Sequence, residues 1–128
     1  MGDFDWNAVW YGVPYMLKGT VVTLEISACA MVLASVVGLI MGLISVSSLR
    51  ALKAIIRAYV YFVRGTPALV QIFLVYFALP RIGFELSSFW SGVVALAFNS
   101  AGFIAEIMRA GLQSIDAGQT EALVTVLD

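Results

Sequence analysis

Asn99 and Glu106 are the polar residues whose spacing is best suited to contact with a small solute. They stand seven residues apart in a mainly apolar run. Seven residues make nearly two turns of an α-helix, so both side chains project from one face, about 10 Å apart along the axis. Gly102 lies between them on that face and leaves room. Polar groups in apolar helices usually face other helices or a water-filled path, so this face could accept the charged groups of a solute.

A structural interpretation of the same residues is equally open. Asn99 can hydrogen-bond a neighbouring helix, and Glu106 can pair with Arg109 three positions later. Glu25, in an earlier apolar run, offers a similar choice between an ion pair near the rim of that run and a part in selecting solute. Arg64 is expected to extend its charged end toward the interface or to bond the carbonyl groups at a helix end.

The residue types needed for enzymatic chemistry are missing. The 128 residues contain no His, one Cys and no Gly-x-x-x-x-Gly-Lys-Ser/Thr loop. A catalytic triad, a Cys-His pair, a zinc site and an ATP phosphate site therefore lack their essential groups. The net charge is -1 and comes without a basic tract, so nucleic acid is not an expected partner. We expect no enzymatic activity, no cofactor and no bound metal.

The elements that position these residues must lie in lipid. Hydrophobic residues make up 62% of the sequence and charged residues 12%. Soluble domains are about 45–50% apolar and about 25% charged, and a chain this short has too little interior to bury the excess. We predict an all-α polytopic membrane protein, a single domain over residues 1–128 with about three transmembrane helices.

Three apolar runs predict the spans, at about residues 20–46, 58–79 and 88–110. Residues 47–57 form a polar break after the first, and Gly111 predicts the end of the third helix. Residues 1–19 are expected to be an interfacial lead-in, because they carry aromatic side chains typical of the headgroup layer. These are Trp6, Trp10, Tyr11 and Tyr15.

The second run is interrupted at Thr66-Pro67. Proline suits the first turn of a helix, and Thr66 suits the N-cap just before it. The run is therefore either one kinked helix or a short interfacial helix followed by a new one. The residues after Pro67 are too few to cross a bilayer alone, which favours a kinked element that also uses residues before the proline.

A ridge of small residues marks one face of the first run. Its members recur every four positions, at Ala30, Ala34, Gly38 and Gly42. This spacing places them on one side of a helix, where a partner helix can approach closely. Because Ala and Gly are common in membrane spans, the alternative is that this repeat arises by chance. We predict a helix-packing face.

The C-terminal segment predicts a short helix outside the lipid. Asp116, followed three residues later by Gln119, resembles a capping box and would start a helix at about residues 117–126. The orientation follows from the distribution of basic residues, because cytoplasmic segments carry the excess of Lys and Arg. Lys18 and Arg81 stand on one side, and the other side has Arg50, Lys53, Arg57 and Arg109. The N-terminus is therefore expected outside and the C-terminus in the cytoplasm.

Two motifs resemble those of a known family. The first runs from Phe62 to Gln71 and contains R-G-T-P-A-L-V-Q. The second runs from Asn99 to Ile107 and continues as Q-S-I at 113–115 and G-Q-T-E-A at 118–122. In this order, each beside an apolar run, they resemble the permease subunits of ABC importers for polar amino acids, of the histidine and glutamine permease type. The resemblance covers about residues 18–122.

The resemblance implies an assembly in the bacterial cytoplasmic membrane. Such permeases pair with a second permease subunit, identical or different, above two cytoplasmic ATP-binding subunits. An extracytoplasmic solute-binding protein delivers the polar amino acid, and ATP drives alternating access. In some members the region that corresponds to Asn99 and Glu106 lines the central path.

The family's Glu-Ala-Ala loop is a short cytoplasmic helix that docks on the ATPase. The resemblance assigns this coupling role to Gly118, Gln119, Glu121 and Ala122. Leu123 and Leu127 depart from the Ala and Gly of the motif. Family members continue to a core of five spans, so we expect this chain to be the N-terminal part of a permease, incomplete at its C-terminus. The alternative is a structural or regulatory membrane-protein remnant that does not transport.

Overall fold

The computed structural model describes residues 4–115 and 117–127, and these residues form helices joined by short turns. Asp116, on which the predicted capping box depends, lies outside the described residues. The predicted all-α class is confirmed. The helices are α1 (Trp6–Ser45), α2 (Arg50–Gly65), α3 (Ala68–Phe73), α4 (Ser88–Gln113) and α5 (Ala117–Leu127). A π-helical turn (Leu74–Ala78) and a 3₁₀ turn (Pro80–Ile82) continue α3.

The first helix begins well before the predicted span of residues 20–46. Asp5 is its N-cap, with a side-chain oxygen that accepts the Asn7 backbone N–H at 2.9 Å. The helix then passes through Pro14 without ending. Its 40 residues are about 60 Å long, roughly twice the thickness of the hydrocarbon layer. The aromatic lead-in is therefore helical, and its position at the interface stays a prediction.

The polar break between the first two helices is much shorter than predicted. Only residues 46–49 separate α1 from α2, and Arg50, Lys53 and Arg57 lie on α2. Their spacing of three and four residues places them on one side of that helix, beside a buried stripe. Ile56, Val60 and Val63 form this stripe. The basic residues thus belong to an amphipathic helix, whereas the sequence predicted a polar break over residues 47–57.

The predicted single kinked element between the first and third spans is instead two helices. Thr66 is extended (φ -115°, ψ 133°), because the residue before a proline is disfavoured in the helical region. The prediction that Thr66 caps the next helix is wrong, since Pro67 occupies the N-cap position of α3. The segments Arg50–Gly65 and Ala68–Ile82 meet at a bend of 110°.

Two helices, α1 and α4, are each long and apolar enough to cross a membrane, and the bent pair makes a third candidate. The prediction of about three spans is confirmed at this level. Helix α4 begins at Ser88, as predicted, with Ser87 as its N-cap. It ends at Gln113 and not at Gly111, because the chain leaves the helix through Ser114 in a right-handed conformation that requires no glycine.

Helices α1 and α4 form the most extensive contact between elements of the fold. The buried residues of α1 are Ala30, Ala34, Gly38 and Gly42. A Cβ atom at Gly38 would lie 2.7 Å from Cβ of Ile104, and one at Gly42 would lie 2.5 Å from Cβ of Met108. The two backbones therefore approach more closely than side chains at these glycines would permit.

Candidate functional site

Asn99 bonds the broken second element through a single side chain. Its Nδ2 donates to Oε1 of Gln71 at 3.2 Å. Gln71 is 2% exposed, and its Nε2 donates to the backbone oxygens of Val63 and Thr66, each at 3.1 Å. Asn99 thus makes the contact with a neighbouring helix that the structural interpretation described.

Gly102 is a contact point between helices α2 and α4. It is buried, and a Cβ atom there would lie 2.9 Å from Cγ1 of Val63. The room that the sequence assigned to a solute is therefore occupied by the Val63 side chain. Gly102 lets α2 approach the backbone of α4 at the level of the bend.

Glu106 binds two arginines. Arg109 donates from Nε to Oε2 at 3.0 Å and from Nη2 to Oε1 at 2.6 Å. Arg64 adds its Nη1 at 3.8 Å from Oε1. The fork of Arg109 matches the two carboxylate oxygens, which is the strong geometry for such a pair. The pairing three positions along the helix is the one that the structural interpretation named.

An open cavity of about 350 Å³ is lined by this ion pair. It lies between the end of α1, residues 53–64 of α2 and the last turns of α4. Among the described residues that line it are four basic side chains and one carboxylate, so this part of the lining carries a net positive charge. The basic residues are Lys53, Arg57, Arg64 and Arg109. Sequence reasoning missed this cavity because it placed Lys53 and Arg57 in a polar break between spans, although their helical spacing was a usable signal.

A second cavity is apolar and lies beside the bend. It has a volume of about 270 Å³ and is lined by aromatic and aliphatic side chains together with Gln71. Phe98 is one of its walls, and the backbone oxygen of Phe98 accepts a hydrogen bond from the hydroxyl group of Tyr59. Gln71 was not singled out from the sequence. The available signal was a lone amide in an apolar helix, four residues after a proline.

The residues assigned to ATPase coupling all lie on α5. Gly118, Gln119, Glu121 and Ala122 are exposed there, on a helix of 11 residues. The helix matches the predicted range of 117–126 closely. Glu25, by contrast, is exposed on α1, and the ion pairs found in the described part of the chain all include Glu106.

The sequence of residues 34–125 matches the family of binding-protein-dependent transport system inner membrane components. This range covers most of the chain and includes both motifs as well as α4 and nearly all of α5. The chain belongs to this family. The members of this family are inner membrane components of transport systems, and the apolar helices of this chain agree with a multi-pass protein.

Relatives of this chain are named as amino-acid permeases. The arginine transport system permease protein ArtQ of Bacillus subtilis is 38% identical over 125 residues, which are 97% of this chain and 57% of the relative. The putative glutamine transport system permease protein GlnP of Rickettsia felis is 36% identical over 113 residues, with coverage of 88% and 52%. The chain thus spans about half the length of the curated relatives it matches.

A solved structure shares the fold of this chain. It is described as the crystal structure of an amino acid ABC transporter with histidines, and the similarity has a TM-score of 0.85 at 35% identity. The match covers 98% of this chain and 58% of that chain. The arrangement of α1 to α5 is therefore that of the corresponding part of an ABC transporter permease.

Proposed function

We propose that this chain is a transmembrane subunit of an ABC importer that carries a polar amino acid across the bacterial cytoplasmic membrane. The observation that carries the proposal is the family match over residues 34–125, together with the shared fold at a TM-score of 0.85. The relatives named for arginine and glutamine transport support a polar amino acid as cargo. The chain performs no chemistry itself, and a separate ATP-binding subunit supplies the energy.

In this proposal helix α4 lines the transport path, and Glu106, Asn99 and Gly102 have different roles there. Glu106 faces the open, positively charged cavity, where charged groups of a solute can be accommodated. Asn99 and Gly102 hold the bent element against α4, and so set the width of the path. The partners are a second permease subunit and an extracytoplasmic solute-binding protein. In this assembly the N-terminus of the chain lies outside and its C-terminus in the cytoplasm.

Helix α5 is the docking element for the ATP-binding subunit. The support for this role is its exposure, its 11-residue length and the Gly-Gln-x-Glu-Ala pattern of residues 118–122. Glu121 is the charged member of that pattern, so it is the residue to change. A charge reversal there should oppose docking without disturbing the packed helices α1 and α4.

The experiment co-expresses the full chain with the ATP-binding subunit of the same source and measures its capture in detergent. We expect Glu121→Lys to reduce the captured ATPase at least about tenfold, as expected for a close charge contact at an interface. The control is Glu85→Lys, an equal charge reversal at an exposed position of the turn before α4. Equal capture by all three chains, or capture by none, would contradict docking through α5.

A further inference from the structure

The break at Pro67 leaves backbone oxygens of α2 without their usual partners. In a continuous helix the Val63 oxygen would accept the N–H of residue 67, but proline has none. The Thr66 oxygen would accept the N–H of Val70, which instead bonds the Pro67 oxygen at 3.0 Å. Inside a membrane, a backbone oxygen that has neither a protein donor nor water costs several kcal/mol.

The side chain of Gln71 supplies both missing donors. Its two N–H bonds reach the Val63 and Thr66 oxygens, each at 3.1 Å, although Gln71 belongs to α3 beyond the bend. The side-chain oxygen of Gln71 is then left to accept, and Asn99 of α4 donates to it at 3.2 Å. One buried amide therefore joins the end of α2, the start of α3 and the middle of α4.

We propose that Gln71 and Asn99 form a latch that fixes the bend between α2 and α3 and seats it on α4. Gln71 replaces the backbone donor that Pro67 cannot provide, and Asn99 holds Gln71 in the orientation that this replacement needs. Both are positioning residues. This role is independent of the proposed transport function, because it concerns only contacts within the described residues.

The latch contains two kinds of hydrogen bond: Gln71 makes two to backbone oxygens, and Asn99 makes one to Gln71. Loss of Gln71 leaves the buried Val63 oxygen and the partly buried Thr66 oxygen without their side-chain donor, whereas loss of Asn99 removes one hydrogen bond between helices. Such interhelical bonds are worth on average about 0.6 kcal/mol in membrane proteins, or about threefold in an equilibrium constant. The latch therefore holds the bend firmly through Gln71 and can release it from α4 at small cost through Asn99. Gln71 also lines the apolar cavity, so release changes the wall of that cavity.

The test measures the bend directly in the full chain, reconstituted in lipid nanodiscs with Cys29→Ser to remove the native thiol. Spin labels at Ala54→Cys on α2 and Ile82→Cys after α3 report the distance between the two segments, and both positions are exposed. We expect one narrow distance distribution in the parent chain. Gln71→Met keeps the side-chain length but cannot donate, so the narrow distribution should be lost.

Three further variants separate the latch from general damage to the fold. Asn99→Leu should broaden the distribution less, and Gln71→Met with Asn99→Leu should be no worse than Gln71→Met alone, because coupled residues are not additive. Asn99→Leu also keeps the test decisive if Gln71→Met fails to fold. Ser91→Ala removes another buried polar group of the same helix and should leave the distribution narrow. Unchanged distributions in both latch variants, additive effects, or equal broadening by Ser91→Ala would each overturn the proposal.

A proline variant tests the replacement itself. Pro67→Ala gives residue 67 an N–H that can bond the Val63 oxygen, so Gln71→Met should then lower the folded-to-unfolded ratio several-fold less than it does beside proline. Unfolding of the full chain in mixed detergent micelles measures the ratio. An equal loss in both backgrounds would show that Gln71 does not stand in for the missing donor.

Discussion

At the scale of single residues, Glu106 decides the electrostatics of the larger cavity. Among the described side chains that line this cavity it is the only acidic one, and it bonds Arg109 while lying 3.8 Å from Arg64. The Glu106 side chain is 29% exposed, so water and salt screen these interactions in part. Its removal would leave the basic residues facing one another across the cavity.

We predict that Glu106→Gln lowers the free energy of unfolding by about 1 kcal/mol at low salt. The loss should shrink near 1 M salt, where the Debye length falls to about 3 Å. Denaturation of the full chain in mixed micelles at two salt concentrations measures both effects. Glu85→Gln, at an exposed turn position, is the control and should change neither value. A loss that is independent of salt would mean that packing, and not charge, dominates at Glu106.

The pairing of Glu106 with Arg109 could be predicted from the sequence, whereas for Asn99 the sequence predicted a bond to a neighbouring helix but not the partner residue. The pair with Arg109 is local, because residues three positions apart are neighbours on any helix. The partner of Asn99 lies 28 residues earlier and becomes adjacent only through the bend at Pro67. Local spacing therefore predicted one half of the candidate site. The other half depended on tertiary structure that the sequence pattern did not specify.

Among the elements, the packing of α1 on α4 depends on Gly38 and Gly42, because a side chain at either position would collide with α4. The period of four in α1 was visible in the sequence, and the structure buries all four members of the ridge. The pattern did not identify the partner helix, because a repeat of four residues indicates which face of a helix packs but not which element packs against it. The start of α2 was missed for a different reason: basic residues at helical spacing were assigned to a polar break between two spans.

We predict that Gly38→Ala destabilises the chain by about 1–3 kcal/mol, because its Cβ atom would lie within 2.7 Å of Ile104 and force the helices apart. Gly19→Ala in the same helix has no atom within 4 Å of the new Cβ and is the matched control. It should be neutral or slightly stabilising, because Ala is the better helix former. Unfolding in mixed micelles compares the two, and equal effects would mean that the close approach of α1 and α4 contributes nothing to stability.

In the molecule as a whole, the arrangement of the bent pair α2–α3 decides which side of the membrane each turn occupies. The bent pair α2–α3 is either a broken span or a re-entrant loop. A broken span places the turn at residues 46–49 and the turn before α4 on opposite sides. A re-entrant loop places both turns on one side. The Lys and Arg counts place residues 46–49 in the cytoplasm. A cytoplasmic α5 together with an outside N-terminus needs an odd number of crossings, so the proposed docking role of α5 favours the broken span.

We therefore predict opposite labelling of two single-cysteine variants of the full chain, each in the Cys29→Ser background. Ser48→Cys and Glu85→Cys both lie at exposed turn positions. A membrane-impermeant thiol reagent added to intact cells whose outer surface is accessible should label the cysteine at position 85 and reach position 48 only after the membrane is opened. Labelling of both from outside, or of neither, would identify a re-entrant α2–α3 pair. In that case α1 and α4 alone cross the bilayer, and α5 would lie on the same side as the N-terminus, which is incompatible with an outside N-terminus and a cytoplasmic docking helix in one chain.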